Sequence, residues 1–191
     1  MLKYIFSASL ILATLSPVAN AEVLTFDDVD HAKENFYTDL ASYYGYDFST
    51  TLDVIDLVGS SWDRGTKSGE FAVLNNQGGS GYITLTKGGT FNFSGTWAKQ
   101  WSASPTDLVG EINGYLNNSL VFTIGTRVDM YNYEFIEGNS IDIDSLELNL
   151  GNHFLIDDLE LIKTNVVSTP LSSIFLGLGI LGFGLTRKKQ A

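Results

Sequence analysis

The 191-residue chain contains no cysteine. That absence excludes disulfides, thiolate metal sites and a cysteine nucleophile. Histidine is nearly absent as well: His31 and His153 lie far apart, and neither stands beside a nucleophile motif. There is no Gly-x-Ser-x-Gly elbow, no His-Glu-x-x-His and no phosphate-binding loop. Bases are scarce, 11 Lys and Arg against 22 Asp and Glu, for a net charge of −11. Nucleic acid is therefore excluded as a partner, because binding it requires a basic patch that displaces counterions from phosphates. Long apolar runs are missing too. Residues 4–15 and 171–185 both fall short of the ~20 apolar residues that span a bilayer comfortably.

What is present divides the chain in three. Lys3 is the only charge before Glu22, and Arg187, Lys188 and Lys189 are the only charges after Lys163. The span 22–165 thus holds all 22 acids against 7 bases, a net of −15. With 44% hydrophobic and 13% aromatic residues overall, the chain can fill a core and is not of the disordered class. The length suits one domain, which we place at 22–165 between segments 1–21 and 166–191.

The first segment has the three parts of a secretory signal. Lys3 is the charged start, Tyr4 to Leu15 the apolar run, and Pro17 ends any helix. Ala19 and Ala21 supply small side chains at the −3 and −1 positions of a cleavage site before Glu22. Export through the cell's secretion machinery is expected; an uncleaved anchor is the alternative.

The last segment runs Val167-Ser168-Thr169-Pro170, then Leu171 to Leu185, then Arg187-Lys188-Lys189. A helix over 171–185 would be roughly 22 Å long at about 1.5 Å per residue. It carries Gly177, Gly179, Gly182 and Gly184, which weaken a helix but permit close helix approach. The basic cluster should stay cytoplasmic, so transient membrane association through 171–185 is expected. This layout resembles the PEP-CTERM sorting signal of Gram-negative bacteria. The resemblance implies an exosortase, a membrane-embedded transpeptidase-like enzyme, that cleaves at the motif. The usual motif is Val-Pro-Glu-Pro: Val167 and Pro170 match it, and Ser168 and Thr169 depart from it. A plain C-terminal membrane anchor on a structural protein is the alternative.

The middle segment reads as all-β, in short alternating runs punctuated by Gly and Asn turns. Strands are expected at 23–29, 46–49, 51–57, 70–75, 81–86, 90–97, 108–115, 119–127, 133–136, 145–150 and 154–162. Such spacing suits a β-sandwich or jelly roll. A helix is expected only over 30–43, where Phe36, Leu40 and Tyr43 recur three to four apart. Odd-numbered Phe91, Phe93, Gly95 and Trp97 share one face of their strand, which places Trp97 in the core. The odd parity of Ile141 and Ile143 changes to even at Leu146, Leu148 and Leu150, so a bulge or break is expected near Asp144-Ser145. The residues Leu24-Thr25-Phe26-Asp27-Asp28, Phe91–Trp101, Gly114–Asn118, Ile143–Leu146 and Phe154–Leu159 resemble, in that order, the globular part of many PEP-CTERM proteins. The resemblance implies a galactose-binding-like jelly roll whose first and last strands pair.

Two chemistries fit these residues. Calcium takes several hard oxygen ligands, and Asp27 and Asp28 at the first strand's end would meet Asp157 and Asp158 of the last strand if those strands pair. Solvated acids are the alternative. Exopolysaccharide is the second candidate, since sugar faces stack on exposed aromatic rings while polar groups bond hydroxyls. Trp62, Trp101 and Tyr44 are the candidate platforms, with core packing as their alternative role. A glycan-active enzyme would need a carboxylate pair, for which Glu70, Glu111, Glu134 and Glu137 are available, but with so many acids such a pair has little weight. The sequence therefore predicts an exported, sortase-processed, non-enzymatic surface or matrix protein.

Overall fold

A computed structural model describes residues 21–29, 37–58, 65–101 and 108–164. The sorting motif Val167 to Pro170, the span 171–185, Ala19 and Trp62 lie outside the described residues. Within them the chain is all-β, and its strands form two sheets. They are β1 (Ala21–Leu24), β2 (Tyr37–Asp39), β3 (Ser42–Tyr43), β4 (Tyr46–Phe48), β5 (Leu52–Asp56), β6 (Phe71–Asn75) and β7 (Gly81–Leu85). The longer strands follow: β8 (Phe91–Gln100), β9 (Leu108–Leu116), β10 (Ser119–Val128), β11 (Glu134–Glu137), β12 (Ser145–Asn149) and β13 (Phe154–Lys163).

One sheet runs β11-β8-β13-β6-β5-β2, with β1 also on β13; the other runs β10-β9-β12-β7-β4-β3. From β6 onward the chain crosses between sheets at almost every connection, and all pairings are antiparallel. Each sheet turns one apolar face inward. Leu52, Val54, Val73, Phe93, Ile156 and Leu161 from one meet Tyr46, Ile83, Ile112, Leu146 and Leu148 from the other. Burial of this apolar layer, at about 25 cal/mol per Å², is the main force holding the sheets together.

The last strand is an inner strand. β8 lies along one side of β13, while β6 (at Phe154–Ile156) and β1 (at Leu159–Ile162) share the other. Around the changeover the β8–β13 register shifts twice, after Asp157 and after Glu160. Asp158 takes the left-handed conformation there, with φ 45°. Each shift inserts one residue, the first on β13 and the second on β8, so both strands change face and stay paired. Phe154 and Ile156 face the core before the break, and Leu159 and Leu161 after it.

The same shift corrects the placement of Trp97. Ala98 joins Phe91 and Phe93 in the core, so Trp97 points outward, half-buried. It packs on Phe135 at a ring separation of 5.2 Å, with Lys67 Nζ 3.5 Å from its ring centre. The helix expected over 30–43 is also corrected in its described part. Residues 37–39 and 42–43 are strands β2 and β3, because Tyr37–Asp39 completes the edge beside β5 and tertiary pairing overrides local periodicity. The break near Asp144 is as expected. Ile143 bridges Phe91 in one sheet and Ser145 opens β12 in the other.

Candidate functional site

The outer face of the β10-to-β3 sheet carries the most organised polar constellation among the described residues. Strand alternation creates it. On β7, Ile83 faces the core and Tyr82 faces out; on β12, Leu146 and Leu148 face in and Glu147 faces out; on β9, Ile112 faces in while Asn113 and Tyr115 face out. Register aligns them, since Glu147 lies opposite Tyr82 on one side and Asn113 on the other. Thr123 extends the row onto β10 and donates to Asn113 Oδ1 at 2.7 Å.

Glu147, only 9% exposed, is the hub. Its Oε1 accepts from Ser80 Oγ (2.6 Å) and Tyr82 OH (2.9 Å). Its Oε2 accepts from Tyr115 OH (2.8 Å) and Asn113 Nδ2 (3.2 Å). Burial alone would raise its pKa, but these four donors outweigh burial and hold it below the usual glutamate value. The bonds to Glu147 in turn push the phenols of Tyr82 and Tyr115 above theirs. An ionised carboxylate with four internal donors is not a proton donor. Instead it fixes two tyrosine side chains on the outer face, Tyr82 43% exposed and Tyr115 half-buried. Glu111 stands beside it, and its Oε1 accepts from Asn113 Nδ2 at 3.3 Å.

The aromatics singled out from the sequence do not come together. Trp101 is half-buried on the other sheet's outer side, packed with Tyr133 on Ile55, Leu57, Ala72, Leu74 and Leu155. Tyr44, 51% exposed, sits near the opposite end of β13, where its carbonyl accepts from Lys163 Nζ. Tyr82, Tyr115, Asn113 and Glu147 were missed, although each strand's alternation of polar and apolar positions was visible. Of the candidate carboxylates, Glu111 lies at this site, Glu70 borders a loop near Asp27, and Glu134 and Glu137 lie on β11 of the other sheet.

Acids from both ends of the domain bind the segment 67–71. β1 and β13 pair, and the segment 67–71 fills the gap between β1 and β6. Asp27 Oδ1 accepts from the Glu70 and Phe71 amides (2.8 and 3.1 Å). Asp157 Oδ2 accepts from the Lys67 and Ser68 amides (2.8 and 3.0 Å), and its Oδ1 from the Asp158 amide (2.8 Å). Asp158 Oδ1 accepts from Ser68 Oγ at 2.6 Å. Burial pushes Asp157 up to about 7 against those three amides. Gly69 passes close over Asp27 with φ +56°; a Cβ there would collide with the carboxylate. Asp28 turns away and accepts from the Tyr43 and Tyr44 hydroxyls. Among the described residues no three His, Asp or Glu side chains gather as a metal-holding group.

No protein-family model matches the chain, and no curated protein matches it. Among solved structures it is similar to the CBM22-1 xylan-binding domain of Paenibacillus barcinonensis Xyn10C, at 12% identity over 68% of this chain and 92% of that one, with a TM-score of 0.41. It is similar to TmCBM61, solved with β-1,4-galactotriose, at 13% identity over 64% and 91% of the two chains, TM-score 0.35. It is also similar to the arabinose-bound α-L-arabinofuranosidase MgGH51, at 9% identity over 72% of this chain and 25% of that one, TM-score 0.43.

Proposed function

We propose that the chain is an exported surface or matrix protein whose sandwich binds a polysaccharide strand without cleaving it. The single observation that carries this is the Glu147 constellation: two oriented tyrosines, an asparagine and hydroxyls in a row on a solvent-facing sheet. A flat row of this kind suits an extended glycan, whose ring faces meet Tyr82 and Tyr115 and whose hydroxyls meet Glu111 and Thr123. Glu147 itself is unsuited as a general acid, which must hold its proton near neutral pH, because its four donors keep it ionised. The order of sheet crossings supports a jelly-roll, galactose-binding-like assignment. The test is affinity electrophoresis against a panel of neutral β-linked polysaccharides. Retardation that is lost in Tyr82→Ala and Tyr115→Ala supports the assignment; no retardation by any member of the panel refutes it.

Calcium is proposed as a structural ion at the β1–β13 junction. Asp27 Oδ2 bears none of the amide bonds that occupy Oδ1, and it faces a Gly69 backbone that approaches closely. With few side-chain oxygens to offer, the site would draw on backbone carbonyls. For destination, we propose signal cleavage after Ala21 and removal of 171–191 by an exosortase-like enzyme at Val167 to Pro170. Intact mass of the mature protein in each cell fraction tests both cuts; retention of Arg187-Lys188-Lys189 would instead identify a permanent anchor.

A further inference from the structure

A concavity lies three strands from Glu147, at the β3 edge of the same sheet. It has a volume of about 450 Å³ and is lined by Asp28, Thr38, Asp39, Ser42, Tyr43 and Tyr44, with Val29 and Leu40. Its charged lining is of one sign. Asp28 is kept ionised by the Tyr43 and Tyr44 hydroxyls, which hold its pKa below the usual aspartate value. Asp39 lies directly across the β2–β5 pair from Asp53. Asp53 is 1% exposed and has no hydrogen-bonding neighbour but Asp39 itself, beside which it holds its proton. No Lys, Arg or His is among the described lining residues. Lys163, which reaches the Tyr44 carbonyl at 2.7 Å, is paired with Glu22 at 3.0 Å.

A pocket lined by two carboxylates, with no base among its described lining residues, attracts a positive group. The volume is that of an organic ligand, not of a bare metal ion. The exposed Tyr44 ring offers a face for a pyranose, and Ser42 and Thr38 offer hydroxyls. We propose that this pocket is a binding site for an amino sugar with a free ammonium group, the ammonium lying against Asp39 and Asp28 and the sugar ring against Tyr44. It is separate from the neutral-glycan face at Glu147 and does not depend on it.

Isothermal titration with a fully deacetylated glucosamine trisaccharide, its N-acetylated counterpart and spermidine tests the proposal at neutral pH. The expected result is binding of the glucosamine trisaccharide, at least about tenfold weaker binding of the acetylated one, and loss in Asp39→Asn and Tyr44→Ala. Asp39→Asn relieves a repulsion, so its melting temperature should hold or rise, which separates lost binding from lost fold. Equal affinity for the acetylated sugar, no affinity for the charged one, equal affinity for spermidine, or full binding by a folded Asp39→Asn variant would each overturn the proposal.

Discussion

Asp53 sits directly opposite Asp39 across the β5–β2 pairing, sealed from solvent with no hydrogen-bonding neighbour but Asp39 itself. Burial first, then the Asp39 carboxylate, pushes Asp53 up to about 6. A raised carboxyl pKa means that the folded state holds its proton more tightly than the unfolded chain does. Its stabilising contribution is full below the ordinary aspartate range, near 4, and is lost as pH rises through about 6. Asp157, up to about 7, works in the same direction. The melting temperature should therefore be higher at about pH 5 than at about pH 8. Asp53→Asn should stabilise the protein at neutral pH by on the order of 1–3 kcal/mol and flatten that dependence. Thermal melts across the pH range check this, and an unchanged slope in the variant would count against it.

Glu147→Gln puts an amide NH₂ where four donors converge. One or two of those donors lose their acceptor, at a cost of about 1–3 kcal/mol. The wild-type glutamate has a lowered pKa, so its own contribution is present above the ordinary carboxylate range and lost as pH falls through and below it. Urea unfolding at neutral pH should show the destabilisation. Binding of neutral glycan should weaken as well, since Tyr82 and Tyr115 lose the group that orients them.

Gly69→Ala should be severe for its size, at about 1–3 kcal/mol, because it combines a left-handed φ with a collision against Asp27. Asp27→Ala removes the obstacle and also the two amide bonds to Glu70 and Phe71. The double variant should then cost less than the sum of the singles. Strict additivity in denaturant melts would show that the contact does not restrain the 67–71 segment.

Added calcium should raise the melting temperature and chelator should lower it, with the effect abolished in Asp27→Ala. Differential scanning fluorimetry reads this directly. A melt indifferent to both additions removes calcium from the β1–β13 junction.

Strand positions were legible because alternation and Gly or Asn turns are local signals: the expected runs at 70–75, 81–86, 119–127 and 154–162 differ from β6, β7, β10 and β13 by a residue or two. The outward face of Trp97 was not legible. It depends on an extra residue at Asp157-Asp158 in β13 and its compensation in β8, and neither strand's pattern announces the other's register. The pairing of the first and last strands was anticipated and is seen between β1 and β13. The Glu147 site demanded more. Tyr82 and Glu147 are 65 positions apart, and only the β7–β12–β9 register brings them within hydrogen-bond reach. The strand expected at 23–29 stops at Leu24, because Phe26 takes a positive φ of 65° and the chain turns at Asp27 to cap the 67–71 segment.

The pairing of Glu22 with Leu161 has a mechanical consequence. The chain enters and leaves the sandwich at one end, on neighbouring strands that run in opposite directions. A pull applied between those two points loads the β1–β13 hydrogen bonds one after another, as in opening a zipper, and not all together in shear. With only Glu22, Val23 and Leu24 of the mature chain to part from β13, β1 should peel away at low force while the two-sheet core stays closed. Tension delivered through both ends would thus uncover the β13 edge and release Asp27 from the 67–71 segment before any core strand moves.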